Sequence, residues 1–143
     1  MTRFAPVLSG LALIAAVHGA AAQDSADVCF RDSGEVAIAA CTRAIQSGRF
    51  NGPTLATFFN NRAIEYRQLG DYDRAIADYS QAIRIDANFT GAYTGRGLAY
   101  EGKGETAKAK AEYQKALTVP QKYSDGQWAH EVARERLAAL GEK

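Results

Sequence analysis

His130-Glu131-Val132-Ala133-Arg134 is one residue away from the H-E-x-x-H zinc signature. That signature needs two imidazoles one helical turn apart to share a metal, with the glutamate acting as base. Arg134 stands where the second histidine belongs, and the chain's other histidine, His18, lies in an N-terminal leader. No metal centre is expected. Gly97, four residues, then Gly102-Lys103 resembles the start of a phosphate loop, but Gly104 replaces the hydroxyl residue that would hold Mg²⁺ and no strand precedes it. No G-x-S-x-G nucleophile elbow occurs, and Ser80 sits in a repeated slot. Asp71, Asp73, Asp78 and Asp86 alternate with Arg74 and Arg84, which reads as a solvated helix face, not as two carboxylates tuned apart for acid–base work. His130, with Glu131, Arg134, Glu135 and Glu142, falls on the polar side of a terminal helix, and Lys103, Lys108, Lys110, Lys115 and Lys122 form another solvated face. No catalytic constellation and no cofactor are expected.

The elements that would carry any site repeat. Shifted by 34 positions, Arg62 falls on Arg96, Tyr66 on Tyr100, Gly70 on Gly104, Ala75 on Ala109, Tyr79 on Tyr113 and Ala82 on Ala116. Phe59 falls on Tyr93, Ala63 on Gly97 and Ile83 on Leu117. A fixed 34-residue period with small residues and aromatics at set offsets indicates two helices per unit, stacked into a solenoid. The small residues let helix approach helix, the tyrosines fill the space left over, and Gly70 and Gly104 stand where a helix must end in a left-handed cap. Asp71 and Glu105 follow at once, where an acid favours the next helix start. On these residues the chain resembles the tetratricopeptide repeat family. The expected fold is all-α: a right-handed α-solenoid of antiparallel helix hairpins, about three units plus a C-terminal capping helix.

Taken in order, residues 1–22 read as a secretory signal peptide: Arg3, an apolar run from Val7 to Val17, and Ala20-Ala21-Ala22 before an expected cut. The run is shorter than the ~20 residues of a membrane span. The chain's 17 Lys and Arg stand against 16 Asp and Glu, and loss of Arg3 brings the mature balance to zero. That balance gives no electrostatic reason to bind nucleic acid or an anionic membrane. The remaining domain, 23–143, divides into units of about 23–52, 53–88 and 89–120, a linker at 121–127 and a cap at about 127–140. In the first unit Ala37, Cys41 and Ala44 stand where Ala75, Tyr79 and Ala82 stand in the next, at an offset of 38. The four extra residues fit a longer loop, with Pro53 at the first position of the following helix. Trp128, Ala129, Val132, Ala133, Leu137 and Leu140 make the cap's apolar stripe.

Cys29 and Cys41 are the only cysteines, in a chain that reads as exported, and are expected to form a disulfide. On one continuous helix they would stand ~18 Å apart, so the chain must reverse at Asp32-Ser33-Gly34.

The family resemblance implies that the first helix of each unit lines a concave face that binds partner peptides. Carried over by position, the first complete unit presents Thr57, Asn60, Asn61, Ile64, Arg67 and Gln68, and the second presents Thr94, Leu98 and Glu101 together with Gly91 and Gly95. Some family members clamp a C-terminal carboxylate with basic residues in the second set. Gly91 and Gly95 occupy those places here, so a neutral or mixed peptide is expected. The functional expectation is a periplasmic or secreted scaffold for a protein or peptide partner. The alternative is a self-assembling protein whose terminal helix docks in a neighbour's groove.

Overall fold

The turn inside each complete hairpin is made by a glycine that the repeat places. In the computed structural model, which describes residues 25–141, the chain runs helix after helix with no strand among the described residues. The order is residues 25–31 (α1), Gly34–Gln46 (α2), Gly52–Gln68 (α3), Tyr72–Ile85 (α4), Thr90–Gly102 (α5), Thr106–Thr118 (α6) and Gly126–Gly141 (α7). The leader, residues 1–22, lies outside the described residues. The helices of the two complete units are α3/α4 and α5/α6, each pair an antiparallel hairpin, with α2 before them and α7 after.

Gly70 and Gly104 end α3 and α5 with φ of 78° and 77°. At both ends the same two bonds close the helix: Gly70 N–H donates to Arg67 O and Asp71 N–H to Tyr66 O, and Gly104 N–H donates to Glu101 O and Glu105 N–H to Tyr100 O. This Schellman arrangement needs a left-handed residue, which only glycine supplies without strain. The Asp71 carboxylate then accepts the Arg74 N–H at 3.1 Å, capping α4. Glu105, one methylene longer, makes no such cap on α6 and pairs with Lys103 and Lys108 instead. Pro53 occupies the second position of α3, one later than expected, because Gly52 already opens the helix.

The repeated small residues are all at contacts: Ala63, Ala75, Ala82, Ala109 and Ala116 have no exposed surface. Tyr79 and Tyr113 are fully buried and Tyr66 nearly so, each tyrosine removing ~150–250 Å² from water. Gly97 stands where the preceding unit has Ala63, because a Cβ there would lie 2.6 Å from the Tyr113 ring. The aromatic slots therefore face inward, as stacking requires.

A second repeat element joins the units. Arg62 on α3 binds Asp78 on α4 through Nε and Nη2, at 2.6 and 2.9 Å, and reaches Thr42 on α2 with Nη1 at 2.9 Å. One period later Arg96 on α5 binds both oxygens of Glu112 on α6 at 2.8 Å and reaches Ser80 on α4 at 3.0 Å. Asp78 is consequently buried, not part of a solvated face. Donating to the Asp78 carboxylate raises the Arg62 pKa further above its ordinary value, outweighing burial. Two-point, charge-assisted bonds of this kind fix orientation as well as contribute energy.

At the leading end, residues 32 and 33 break the helix, Gly34 takes φ 65°, and Cys29 returns to within 4.8 Å of Cys41 at Cα, with the two sulfurs bonded. Around them Ala40, Ala44 and Phe58 form a small cluster, and Phe30 stacks on Phe58 at 5.1 Å. At the trailing end α7 buries Ala129, His130, Ala133 and Leu140. Two expectations fail here. Trp128 is half exposed, and His130 is buried. The helix is rotated so that His130 turns toward the linker, where its Nε2–H donates to Val119 O at 3.0 Å and its Nδ1 accepts from Gln121 at 2.8 Å. One neutral tautomer satisfies both bonds, so a buried imidazole costs little there.

Candidate functional site

Helices α3 and α5 lie side by side on one face of the stack, and the linker 121–125 crosses back in front of them before α7 begins. Between these walls opens a groove of about 520 Å³. Thr57, Asn60, Asn61, Ile64, Arg67 and Gln68 line its α3 side, all six residues assigned to the concave face of the first unit. Their spacing of three and four residues puts them on one stripe of α3. Tyr79 and Phe89 form the floor, Gly91 and Gly95 the α5 side, and Tyr123, Ser124, Asp125 and Trp128 the far wall.

The second unit's residues are placed differently. Thr94 is fully buried: α7 packs over it, and its hydroxyl donates to Ala129 O at 3.1 Å. Leu98 packs among the second unit's core residues. Glu101 accepts from the Tyr113 hydroxyl at 2.8 Å and pairs with Arg136 of α7. These three do not share the groove with the α3 residues. The reason is local: α7 packs against both α5 and α6, and so covers the α5 face that carries these residues. Leu98 and Glu101 instead border a smaller depression with Arg67, Tyr72, Gly102 and Arg136.

The two glycines of α5 decide what the groove contains. A Cβ built on Gly95 would lie 2.5 Å from the Tyr79 ring, and one on Gly91 would fall on the Asp125 carboxylate. Their lack of side chains admits Tyr79 to the floor and Asp125 to the wall. The surface of the groove is therefore mainly apolar, on an aromatic floor and wall, with polar side chains along the α3 side and at Asp125.

Several of those polar atoms lack a close partner, although Arg67 lies near enough to the Tyr79 hydroxyl to interact with it and the Asp125 carboxylate faces its own backbone N–H. Asn60 Oδ1, Arg67 Nε, Tyr79 OH and Asp125 Oδ1 are buried atoms with no hydrogen-bond partner among the described residues, and all four belong to residues lining the groove. Buried polar atoms are nearly always paired, because each orphan costs ~1–3 kcal/mol. Burial pushes the Tyr79 phenol up from its ordinary pKa, with the nearby Arg67 drawing it partly back. Burial also holds the Asp125 carboxyl above the usual carboxylate range.

The far wall is fastened by Asp86, at the end of α4. Its carboxylate accepts from the Tyr123 hydroxyl, from the Asn88 N–H at 2.9 Å and from Lys122 at 3.4 Å. Burial alone would raise the Asp86 pKa, but these three donors outweigh it and leave the group below its ordinary value. Asp86 is thus a structural anchor and not part of a solvated face. Tyr123 also packs on Phe89 at 4.8 Å. Sequence reasoning missed Tyr79, Phe89, Tyr123, Asp125 and Trp128 as groove residues. The signal for the first was present, since Gly95 faces Tyr79, whereas the linker residues obey no period and gave none.

Among the described residues no cluster of three or more His, Cys, Asp or Glu could hold a metal, and no helix is long and apolar enough to cross a membrane.

Comparison with known proteins bears on the same elements. Family models for the TPR repeat and the tetratricopeptide repeat match residues 65–104 and 90–123. A search of curated protein sequences found no match. Among solved structures, the second TPR domain of human RPAP3, in complex with an HSP70 peptide, is similar at 25% identity and a TM-score of 0.67, covering 89% of this chain and 98% of that one. The TPR2B domain of yeast Sti1, in a complex with a pHsp70 partner, is similar at 24% identity and a TM-score of 0.69, over 87% and 96% of the two chains. The TPR domain of Arabidopsis OM64 is similar at 24% identity and a TM-score of 0.65, over 82% and 98%. Residues 65–123 thus match models of the tetratricopeptide repeat, and the helices are arranged as in a tetratricopeptide-repeat domain.

Proposed function

We propose that this protein is a non-catalytic interaction module of the cell envelope that holds an extended segment of a partner protein in the groove between α3, α5 and the 121–125 linker. The observation that carries this reading is the set of four unpaired buried polar atoms lining a largely apolar cleft. Asn60, Arg67, Tyr79 and Asp125 offer both donors and acceptors, which is what a peptide backbone requires. The similar domains of RPAP3 and Sti1, solved with peptide or pHsp70 partners, support the same use of the fold. The envelope address rests on the leader pattern of residues 1–22 and on a lone cysteine pair suited to an oxidising compartment. Self-assembly through the terminal helix is the less favoured alternative, because α7 already covers its own α5 and α6.

Capture of partners from an envelope extract by the immobilised protein tests the proposal. Reversing the α3 wall with Arg67→Glu and Asn61→Asp should abolish capture while leaving the thermal midpoint within a few degrees. Capture that survives both changes refutes the groove as the site. Light scattering at two concentrations should give a constant monomer mass. N-terminal sequencing of the exported protein should begin at Gln23, and a chain retained intact in the cytosol would refute the address.

A further inference from the structure

Asp125 is the one acid among the groove's lining residues, and its own backbone N–H is the one group that answers its charge among the described residues. None of the ion pairs among the described residues involves Asp125 or Arg67. Lys122, three residues earlier, is committed to Asp86 and lies over the Tyr123 ring. The start of α7 favours a negative charge at position 125, yet Oδ1 still has no hydrogen-bond partner among the described residues. A half-buried carboxylate without a cation is costly, and the chain gives up a side chain at Gly91, inside a helix, to let it sit there. The same wall presents Trp128, half exposed, an aromatic face that attracts cations. Opposite it stands Arg67, whose Nε calls for an acceptor. The groove thus has an acidic, aromatic wall and a basic wall, and a ligand that satisfies both must present a cation to one and carbonyl or carboxylate oxygens to the other.

We propose that the far wall of the groove is a seat for a basic side chain, so that the partner segment is one carrying a lysine or arginine whose cationic head meets Asp125 while a backbone carbonyl faces Arg67 Nε and a backbone N–H faces Asn60 Oδ1. This inference rests on the groove being a peptide site. It specifies the partner by charge complementarity: a basic or mixed segment, in place of a purely acidic one. Leu or Glu at the seated position would leave Asp125 unpaired.

The test is selection from a random nonapeptide display library on the purified chain and on Asp125→Asn, which keeps the side chain's volume. The ends of the selected peptides are blocked for titration. Trp128 is the only tryptophan, so its fluorescence reports occupancy directly. Peptides enriched on the unaltered chain should share a Lys or Arg at one position. Replacing it with norleucine should weaken binding at least tenfold, and less than twofold against Asp125→Asn. Gly91→Ala, which displaces the carboxylate without removing its charge, should also erase the discrimination. Enriched peptides with no shared basic residue, or norleucine peptides that bind equally well, overturn this inference and leave the groove reading standing. Failure to enrich any peptide overturns both.

Discussion

Removing the Cys29–Cys41 bridge should cost this small domain much of its stability without touching the groove. The two cysteines are 12 residues apart, and the chain-entropy relation for closing so short a loop gives about 3 kcal/mol at 25 °C. Domains of this size have roughly 5–15 kcal/mol in all, so the loss is a large fraction. With a urea dependence of about 1–3 kcal/mol per molar, the midpoint should fall by about 1–3 M at an unchanged slope. The comparison is between the oxidised chain, the same chain in reductant, and the Cys29→Ser/Cys41→Ser double variant, the last two expected to coincide. Hydrogen exchange should quicken first in residues 25–46, where Cys29 and Cys41 share their buried cluster with Phe58. Equal midpoints for all three proteins, or two titratable thiols in the unreduced chain after unfolding, would refute the argument.

Gly97→Ala gains about 1 kcal/mol of helix propensity but drives a methyl to 2.6 Å from a Tyr113 ring that is fully buried and tied to Glu101. Overpacking of about 3 kcal/mol should win, for a net loss near 2 kcal/mol in urea denaturation; an unchanged or raised midpoint counts against the packing account. Asp78→Ala leaves Arg62 buried without its partner and should cost about 3 kcal/mol or more, whereas replacing both residues with leucine should recover part of that; equal losses would show that the pair is not coupled. Because burial raises the Asp125 pKa, the native state binds a proton more tightly than the unfolded chain, so Asp125 lowers stability above its folded pKa and ceases to do so below its unfolded one. Asp125→Asn should therefore be more stable than the unaltered chain at neutral pH, with the gain fading as pH falls through the carboxylate range. A difference that does not change with pH would refute this.

The repeat made most of the molecule legible from sequence, because its residues answer to local rules. Gly70 and Gly104 announce helix ends wherever they occur, and Ala75 or Tyr79 mark contacts that recur one period on. The α3 stripe from Thr57 to Gln68 was readable for the same reason: a helix of known phase has a known face. The other side of the groove was not. Tyr123 and Asp125 lie in a linker with no period, and their positions depend on Asp86 and Gly91, which are distant in sequence. Thr94 was misplaced because position in a repeat carries no information about the segment beyond the last unit, and here α7 covers it. His130 and Trp128 exchanged environments because a terminal helix with small residues on several sides has no single dominant stripe. The Arg62–Asp78 and Arg96–Glu112 pairs were within reach, since both members repeat at 34, but acids beside arginines along one helix suggested solvent before they suggested each other.

Each of those arginines faces two ways, toward an acid in its own hairpin and toward a hydroxyl in the one before, Thr42 for Arg62 and Ser80 for Arg96. No hairpin owns all of its bonding partners, so melting one takes a hydroxyl partner from the arginine of the next, and the array should come apart as a whole and not piecemeal. The same rule makes the array extensible: a duplicated stretch of 34 residues inserted after Asn88 would bring its own arginine, acid and hydroxyl, and would lengthen the molecule while every clasp stayed matched.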